Sequence, residues 1–252
     1  MKYSAKQSAA PAPLLRRGAS AGVVTLTLDN PASRNALSLA MIEALSGALA
    51  DAAVDNSVRA IVIAAEGPAF SSGHDLREIA GRRNDRDAGK EFYERLMEAC
   101  AQMMQAIVAL QKPVIAAVEG VATAAGCQLV AACDLAIAGT EARFATPGVN
   151  IGLFCSTPLV AIGRAISRKH AMEMALTGAL YSASEAERFG LINRIVAAGR
   201  RGIAKNIDHV DRRRRRGEAG VDSQIEQRLT GEARIDREHR VAARGQIFQH
   251  EV

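Results

Sequence analysis

Residues 112–128 read KPVIAAVEGVATAAGCQ, and this stretch decides the fold class. Val114–Val118 is apolar throughout, and it is followed by a turn that begins at Gly120 and by small residues that suit a helix up to about Ala132. A strand that is apolar at every position is typical of a sheet that is covered on both faces. The stretch therefore predicts a buried strand that turns directly into a helix, as in an α/β layered fold.

A comparable turn comes earlier in the chain. The nearly all-apolar segment Val58–Ala64 is followed at residues 69–76 by AFSSGHDL. Asp75 and Glu78 have the spacing of a capping box, which predicts a helix that begins here. The first N–H groups of a helix have no partner within it and carry partial positive charge. If the N–H groups of both turns converge, they form a backbone oxyanion hole for one carbonyl oxygen.

Strands and helices also alternate in the remainder of residues 14–199. Ser38 is placed to cap a helix that runs to about Ala53, and Ser182–Glu185 is a capping box that opens a helix ended by Gly190. The other predicted elements are strands at Val23–Leu28, Leu135–Ala138 and Leu191–Val196, and a helix whose apolar stripe runs from Phe92 to Leu110. The alternation again indicates an α/β fold.

The character of the sequence changes near residue 199. Residues 200–252 contain 13 Lys/Arg against 9 Asp/Glu, so they carry four of the five net positive charges of the chain. Arg212–Arg216 is a run of five arginines, and no sustained apolar stripe accompanies it. We therefore divide the chain into an N-terminal extension at 1–13, a core at 14–199 and a basic tail at 200–252 that is disordered or weakly helical.

Composition indicates in which compartment the protein is expected and which kinds of site are not expected. No apolar run has the roughly 18 residues that a membrane helix needs. The four cysteines form no C-x-x-C pair, so neither a zinc site nor a redox dithiol is indicated and a reducing compartment is the simplest interpretation. Residues 1–22 have four basic and no acidic residue but no apolar signal core. We expect a cytoplasmic protein, with the mitochondrial matrix as the alternative. The common motifs of nucleotide hydrolases, zinc proteases and serine hydrolases are absent.

Five segments, in order, resemble the crotonase (enoyl-CoA hydratase/isomerase) superfamily over residues 14–198. They are Arg34–Leu37, Phe70–Leu76, Lys112–Val118, Gly120–Asp134, and Leu176–Gly178 with Gly190–Ile192. The resemblance implies a spiral of ββα turns that assembles as homotrimers or hexamers. It also implies an enzyme of fatty acid metabolism, a lyase or isomerase, that binds acyl-CoA thioesters.

The resemblance also assigns roles to single residues. The oxyanion-hole N–H groups fall on His74 and Ala125. The segments that line the bound CoA fall on Ser33, Arg34, Ala36, Ser72, Asp75, Leu76 and Arg77. Arg77 is suited to a CoA phosphate, or it is a solvated charge on a helix. No separate cofactor and no metal are expected, because coenzyme A is part of the substrate.

Two departures from the family pattern bear on catalysis. Hydratases of the family have glutamates where this chain has Gln128 and Gly148, and those carboxylates hold the water and move the α-proton. General acid–base catalysis contributes about 10²–10⁴-fold per group, so ordinary hydration is not expected. Residues 122–128 and 144–150 resemble a subgroup of mitochondrial and bacterial members in which both changes occur together. Cys155 or Ser156 either faces the thioester or serves packing and helix capping.

Three functions remain open from the sequence. The first is a catalyst of the enoyl-CoA hydratase/isomerase type, and the second is a CoA-thioester-binding protein without efficient catalysis. The third is a nucleic-acid or acidic-partner binder that uses Arg212–Arg216, which is less favoured because no aromatic residues interleave the run. In the family, apolar C-terminal helices cover the active site and build the trimer, and the tail of this chain lacks such helices. Either a shifted reading frame or a genuine basic tail explains this difference.

Overall fold

The computed structural model describes residues 13–197 and Gly199. The predicted N-terminal extension, apart from residue 13, and the predicted basic tail with its five arginines lie outside the described residues. What the sequence predicts for those segments stays a prediction.

Ten strands among residues 13–197 form two sheets. The six-stranded sheet has the order β1-β2-β3-β5-β7-β10, and its strands are β1 Leu15–Ser20, β2 Val23–Leu28, β3 Ala60–Ala65, β5 Val114–Val118, β7 Leu135–Gly139 and β10 Arg194–Val196. The four-stranded sheet has the order β4-β6-β8-β9, with β4 Ala69–Ser71, β6 Val121–Thr123, β8 Arg143–Ala145 and β9 Tyr181–Ser182. Every described pairing is parallel except β1 with β2 and β8 with β9.

Seven α-helices are present among the described residues. They are α1 Leu39–Val54, α2 Leu76–Gly81, α3 Lys90–Ala109, α4 Ala125–Ala132, α5 Ser156–Ala165, α6 Arg168–Thr177 and α7 Ala183–Phe189. Short 3₁₀ turns lie at Pro31–Ser33, Arg82–Asn84 and Pro147–Ile151.

The chain repeats one unit three times. β3, β5 and β7 enter the large sheet in turn, and the strands that follow them, β4, β6 and β8, enter the small sheet in the same order. A helix follows each pair of strands. The α/β class and the ββα spiral that the resemblance implies are therefore confirmed.

The apolar patterns that predicted these elements lie in the core. Val24, Leu26 and Leu28 are buried along one face of β2, and all five residues of β5 are buried. Ser38 caps α1 by accepting from the N–H of Met41, as predicted, and Ser182 with Glu185 forms the predicted capping box of α7. The short strands of the small sheet were not predicted, because three residues are too few to show a periodicity.

Two charged residues of the family segments have structural roles. Lys112 Nζ donates to the carbonyl oxygens of Ala52 and Asp55, both at 2.7 Å, and so satisfies carbonyls at the C-terminal end of α1. Asp134 accepts from the N–H of Val114 at 2.7 Å, which joins the start of β5 to the start of β7. Burial raises the pKa of the Asp134 carboxyl.

Asn35 is a buried polar residue that connects the loop after β2 to the start of β4. Its side chain is fully buried, and its Nδ2 donates to the carbonyl oxygens of Glu66 and Ala69, both at 2.8 Å. Its Oδ1 accepts from the N–H of Asn30, also at 2.8 Å. Asn35 has a φ of 52°, a left-handed conformation that asparagine tolerates better than most residues. One side chain thus attaches the loop after β2 to the start of β4.

We expect Asn35→Ala to destabilise the protein by about 3 kcal/mol. The substitution leaves one buried N–H and two carbonyl oxygens without this partner, and each unsatisfied group costs about 1–3 kcal/mol, not additively. Urea unfolding followed by circular dichroism measures the change. Asn84→Ala is the matched control, since Asn84 is exposed on a 3₁₀ turn. An equal loss in both variants would contradict this role for Asn35.

Candidate active site

The turn after β4 and the turn after β6 are in close contact through their backbone atoms. A Cβ atom built on Gly73 would lie 3.1 Å from the backbone nitrogen of Ala125 and 3.0 Å from the carbonyl oxygen of Thr123. A Cβ on Gly126 would overlap the carbonyl oxygen of Ser71. Thr123 Oγ1 also donates to the carbonyl of Ser72 at 3.1 Å. The structure therefore brings together the two turns that the sequence singled out.

Two backbone N–H groups at this contact donate no hydrogen bond among the described residues. In residues 13–197, neither the N–H of His74 nor that of Ala125 donates a hydrogen bond to another described residue. Ala125 is the first residue of α4, so its N–H points out of the helix end. The two residues that the sequence assigned to an oxyanion hole thus lie on adjoining turns, each with a free donor.

Ala124 adopts a backbone conformation that favours glycine. Its φ is 49° and its ψ is −121°, and its N–H donates to the carbonyl of Ala145 at 2.9 Å. A non-glycine residue in such a region costs about 1–3 kcal/mol, and the cost is tolerated where the surrounding structure fixes the chain. Here the strained residue immediately precedes Ala125, whose N–H it orients.

The helix start at Asp75 differs in part from the prediction. Asp75 caps α2 by accepting from the N–H groups of Arg77 and Glu78, as expected. Glu78 does not close the capping box; its Oε2 accepts instead from the N–H of Leu39 at 3.1 Å. The tertiary contact with the start of α1 thus replaces the local one, and His74 lies two residues before the helix.

The residues assigned to CoA surround the same loop. The N–H of Ser72 donates to the carbonyl of Arg34 at 3.1 Å, and the N–H of Leu37 to that of Gly73 at 2.8 Å, so the two segments run side by side. Arg34, Leu76 and Arg77 are exposed. Among the assigned residues, Ser33, Ser72 and Asp75 are half-buried and Ala36 is buried. Neither guanidinium forms an ion pair with a described residue.

The environment of the His74 side chain favours its neutral form. Burial lowers the pKa of its imidazole, and Nε2 is buried without a hydrogen-bond partner in the described part of the chain. Three other buried polar atoms are also unpartnered among the described residues: Oε1 of Gln128, Oγ1 of Thr146 and Nδ1 of His170 on α6. Buried polar groups are normally hydrogen-bonded. Thr146 was not singled out from the sequence, because a threonine before a proline gives no chemical signal.

Little space is left around Gly148, to which the resemblance assigns the second glutamate of the family's hydratases. Gly148 is buried, and a Cβ built on it would lie 2.8 Å from Sγ of Cys155 and 2.9 Å from the carbonyl oxygen of Leu153. Gln128, to which the resemblance assigns the first glutamate, is 7% exposed on α4. Both residues therefore lie in the interior.

Other features lie apart from this site. A groove of about 520 Å³ runs between α1 and α3, crossed by an ion pair of Arg95 and Glu43, and none of its lining residues belongs to the two turns. In the described ranges, no group of three or more His, Cys, Asp or Glu side chains is placed to hold a metal ion. No helix of the described chain has both the length and the apolar composition to cross a membrane.

The family model described as enoyl-CoA hydratase/isomerase matches residues 18–217. The chain belongs to this family. The crotonase resemblance drawn from the five segments is thus confirmed, and the family match continues past residue 199, where the composition of the chain changes.

Individual members of the enoyl-CoA hydratase/isomerase family agree with this assignment. The chain is 49% identical over 175 residues to the mitochondrial enoyl-CoA hydratase domain-containing protein 3 of Rattus norvegicus, covering 69% of this chain. The match spans only 57% of that relative's own length. A putative enoyl-CoA hydratase of Thermus thermophilus is 37% identical, with 71% of this chain and 69% of the relative covered.

Solved structures of family members share the fold. Human enoyl-CoA hydratase domain-containing protein 3 superimposes with a TM-score of 0.73 at 42% identity, covering 79% of this chain and 76% of that chain. An enoyl-CoA hydratase of Mycobacterium smegmatis gives a TM-score of 0.72 at 50% identity, with 79% and 75% covered. The resemblance to the domain-containing protein 3 subgroup, taken from the segments around Gln128 and Gly148, is likewise confirmed.

We expect Gly148→Ala to destabilise the protein by about 1–3 kcal/mol, the usual cost of overpacking. The new methyl group meets Sγ of Cys155 and a backbone oxygen, and the latter cannot rotate away. Gly163→Ala is the matched control: Gly163 is exposed within α5 and has open space at its Cβ position. That variant should instead gain up to about 1 kcal/mol from helix propensity. Thermal unfolding monitored by circular dichroism compares them, and a neutral Gly148→Ala would refute the steric argument.

Proposed function

We propose that the protein binds acyl-CoA thioesters and stabilises a thioester enolate between the backbone N–H groups of His74 and Ala125. The observation that supports this most directly is the close approach of Gly73 to Ala125, because it places two free donors on adjoining turns. Fixed backbone donors are effective at stabilising an oxyanion because they need no reorganisation during the reaction. Family membership favours the same chemistry.

We propose that the CoA portion lies along Ser33–Ala36 and Ser72–Arg77. The two segments are joined by backbone hydrogen bonds, and their exposed side chains include Arg34 and Arg77, which form no ion pair with another described residue. Guanidinium groups match the geometry of phosphates. Leu76, which is 55% exposed, offers an apolar contact at the same edge. Coenzyme A enters as part of the substrate, and the proposal requires no separate cofactor or metal.

The residues at positions 128 and 148 disfavour catalysis of ordinary hydration. An amide such as that of Gln128 neither accepts nor releases a proton near neutral pH, and Gly148 has no side chain. Asp75 and Glu78, the carboxylates nearest in sequence to His74, already accept hydrogen bonds from the starts of α2 and α1. We therefore favour an enzyme of the lyase or isomerase type whose reaction does not use the two family glutamates. The alternative is an acyl-CoA-binding protein without efficient catalysis.

We also propose assembly as a homotrimer or hexamer and a location in the mitochondrial matrix. The assembly follows from the family resemblance, and the location from the names of the similar vertebrate proteins, which are called mitochondrial. The cytoplasmic location expected from the sequence has no support from these relatives.

We expect Gly73→Ala to weaken acyl-CoA binding by at least about tenfold, or 1.4 kcal/mol. The added Cβ intrudes between the turns beside Ala125. The residue also has a φ of 86°, where a non-glycine side chain costs about 1–2 kcal/mol. Gly190→Ala is the matched control, because its φ is 91° and its Cβ would meet nothing closer than 3.7 Å. Calorimetry with butyryl-CoA measures both. No saturable heat in the wild type, or equal loss in the two variants, would count against the proposal.

We expect crotonyl-CoA hydration to be at least about 100-fold slower than in a family member that carries both glutamates. Each lost acid–base group removes about 10²–10⁴-fold. The loss of ultraviolet absorbance of the conjugated thioester measures the rate. The variant Gln128→Glu, which restores one carboxylate without a new Cβ, should hydrate faster than the wild type. A wild-type rate within about tenfold of the normal hydratase would show that another group supplies the base.

A further inference from the structure

The sequence left open whether Cys155 faces the thioester or serves packing, and the structure places its thiol beside Gly148. Its Sγ lies 2.8 Å from the position where the side chain of residue 148 would begin, which is where hydratases of the family carry their second glutamate. Cys155 is half-buried and immediately precedes α5, a helix of ten residues. A thiol therefore lies beside the position to which the resemblance assigns the family's second carboxylate.

A second observation indicates that this region receives a ligand. The hydroxyl of Thr146, which is 1% exposed, and Oε1 of Gln128, which is 7% exposed, have no hydrogen-bond partner within the described residues. Thr146 lies two residues before Gly148. Gln128 follows Cys127, whose thiol is near enough to Cys155 to interact with it electrostatically. Two buried, unpaired polar groups on segments that border one thiol are expected where a bound molecule supplies the missing partners.

We propose that the Cys155 thiol adds to the β-carbon of an α,β-unsaturated acyl thioester and forms a covalent thioether. This inference rests on the proposed function, since the thioester is held with its carbonyl oxygen between the N–H groups of His74 and Ala125. The thiolate electron pair forms the S–Cβ bond, and the π electrons of the double bond move through the α-carbon to the thioester oxygen as an enolate. The enolate then takes a proton at the α-carbon, which replaces the one lost by the thiol. No oxidant is needed, and no group leaves.

A thiol needs less assistance for this step than water does. A free cysteine is about a few per cent thiolate at pH 7 and is intrinsically a strong nucleophile, whereas water requires a base. The absence of carboxylates at residues 128 and 148 thus disfavours hydration far more than thiol addition. The donors on His74 and Ala125 stabilise the same enolate in either reaction.

The other three cysteines are poor competitors. Burial raises the pKa of Cys100 to about 11 and that of Cys127 to about 12, and it also raises the pKa of Cys133. Cys133 in addition donates to the carbonyl of Leu129 at 3.2 Å. Thiols that stay protonated are inert as nucleophiles.

Mass spectrometry of the full chain tests the proposal. The protein is incubated with crotonyl-CoA, denatured and measured intact, and the modified peptide is then sequenced. We expect a gain equal to one whole crotonyl-CoA molecule, located on Cys155, at a rate that saturates with crotonyl-CoA and is slowed by saturated butyryl-CoA. Cys155→Ser should lose the adduct. Cys133→Ser should keep it, because a serine hydroxyl can retain the bond to Leu129.

The remaining outcomes separate this inference from the proposed function. Calorimetric binding of butyryl-CoA without any crotonyl adduct overturns the role of Cys155 and leaves acyl-CoA binding intact. A gain of only the crotonyl group, with release of free CoA, also overturns it, because the thiol then attacks the carbonyl carbon. An adduct that persists in Cys155→Ser assigns the reaction to another residue. Absence of butyryl-CoA binding overturns both proposals.

Discussion

The close contact of two backbone turns, at Gly73 and at Ala125, is the constraint on which the candidate site depends. It exists because β4 and β6 are parallel neighbours in the small sheet, so the chain leaves both strands at the same edge. Only a residue without a Cβ fits at position 73, and Thr123 adds a side-chain bond across the contact. The loop at Arg34–Leu37 then attaches to the first turn through its own backbone bonds. Three separate sequence segments thus become one rigid surface.

Most of the large sheet was predictable because its strands carry their own signal, but β1 was not predicted, since five of its six residues are exposed. β2 alternates buried and partly exposed positions, and β5 is buried throughout, so hydrophobic pattern alone gave their bounds to the residue. The small sheet was not predictable in the same way. Its strands have two or three residues each, and they are defined by pairing with partners far along the chain. Sequence pattern is local, whereas that pairing is a property of the assembled spiral.

The site was predictable as a set of segments but not as a geometry. The resemblance assigned His74, Ala125, Gln128 and Gly148 to one site, and their roles there stay predictions. In the structure the segments that carry them are neighbours. It gave no indication that Glu78 would bond to the start of α1 instead of closing a capping box, because both acceptor roles fit the same spacing. Nor could spacing show that Cys155 fills the volume next to Gly148. These contacts depend on how the helices pack in the folded chain, which local sequence spacing does not specify.

The filled space beside Gly148 also constrains the evolutionary history open to this chain. A carboxylate at that position would need Cys155 to become smaller and the Leu153 backbone to shift before the new side chain could be accommodated. No single substitution achieves both, so a carboxylate at residue 148 depends on other changes around it. This dependence of one substitution on others is epistasis. A chain with this packing does not gain a carboxylate at residue 148 in one step, so any chemistry in that region draws on the residues already there.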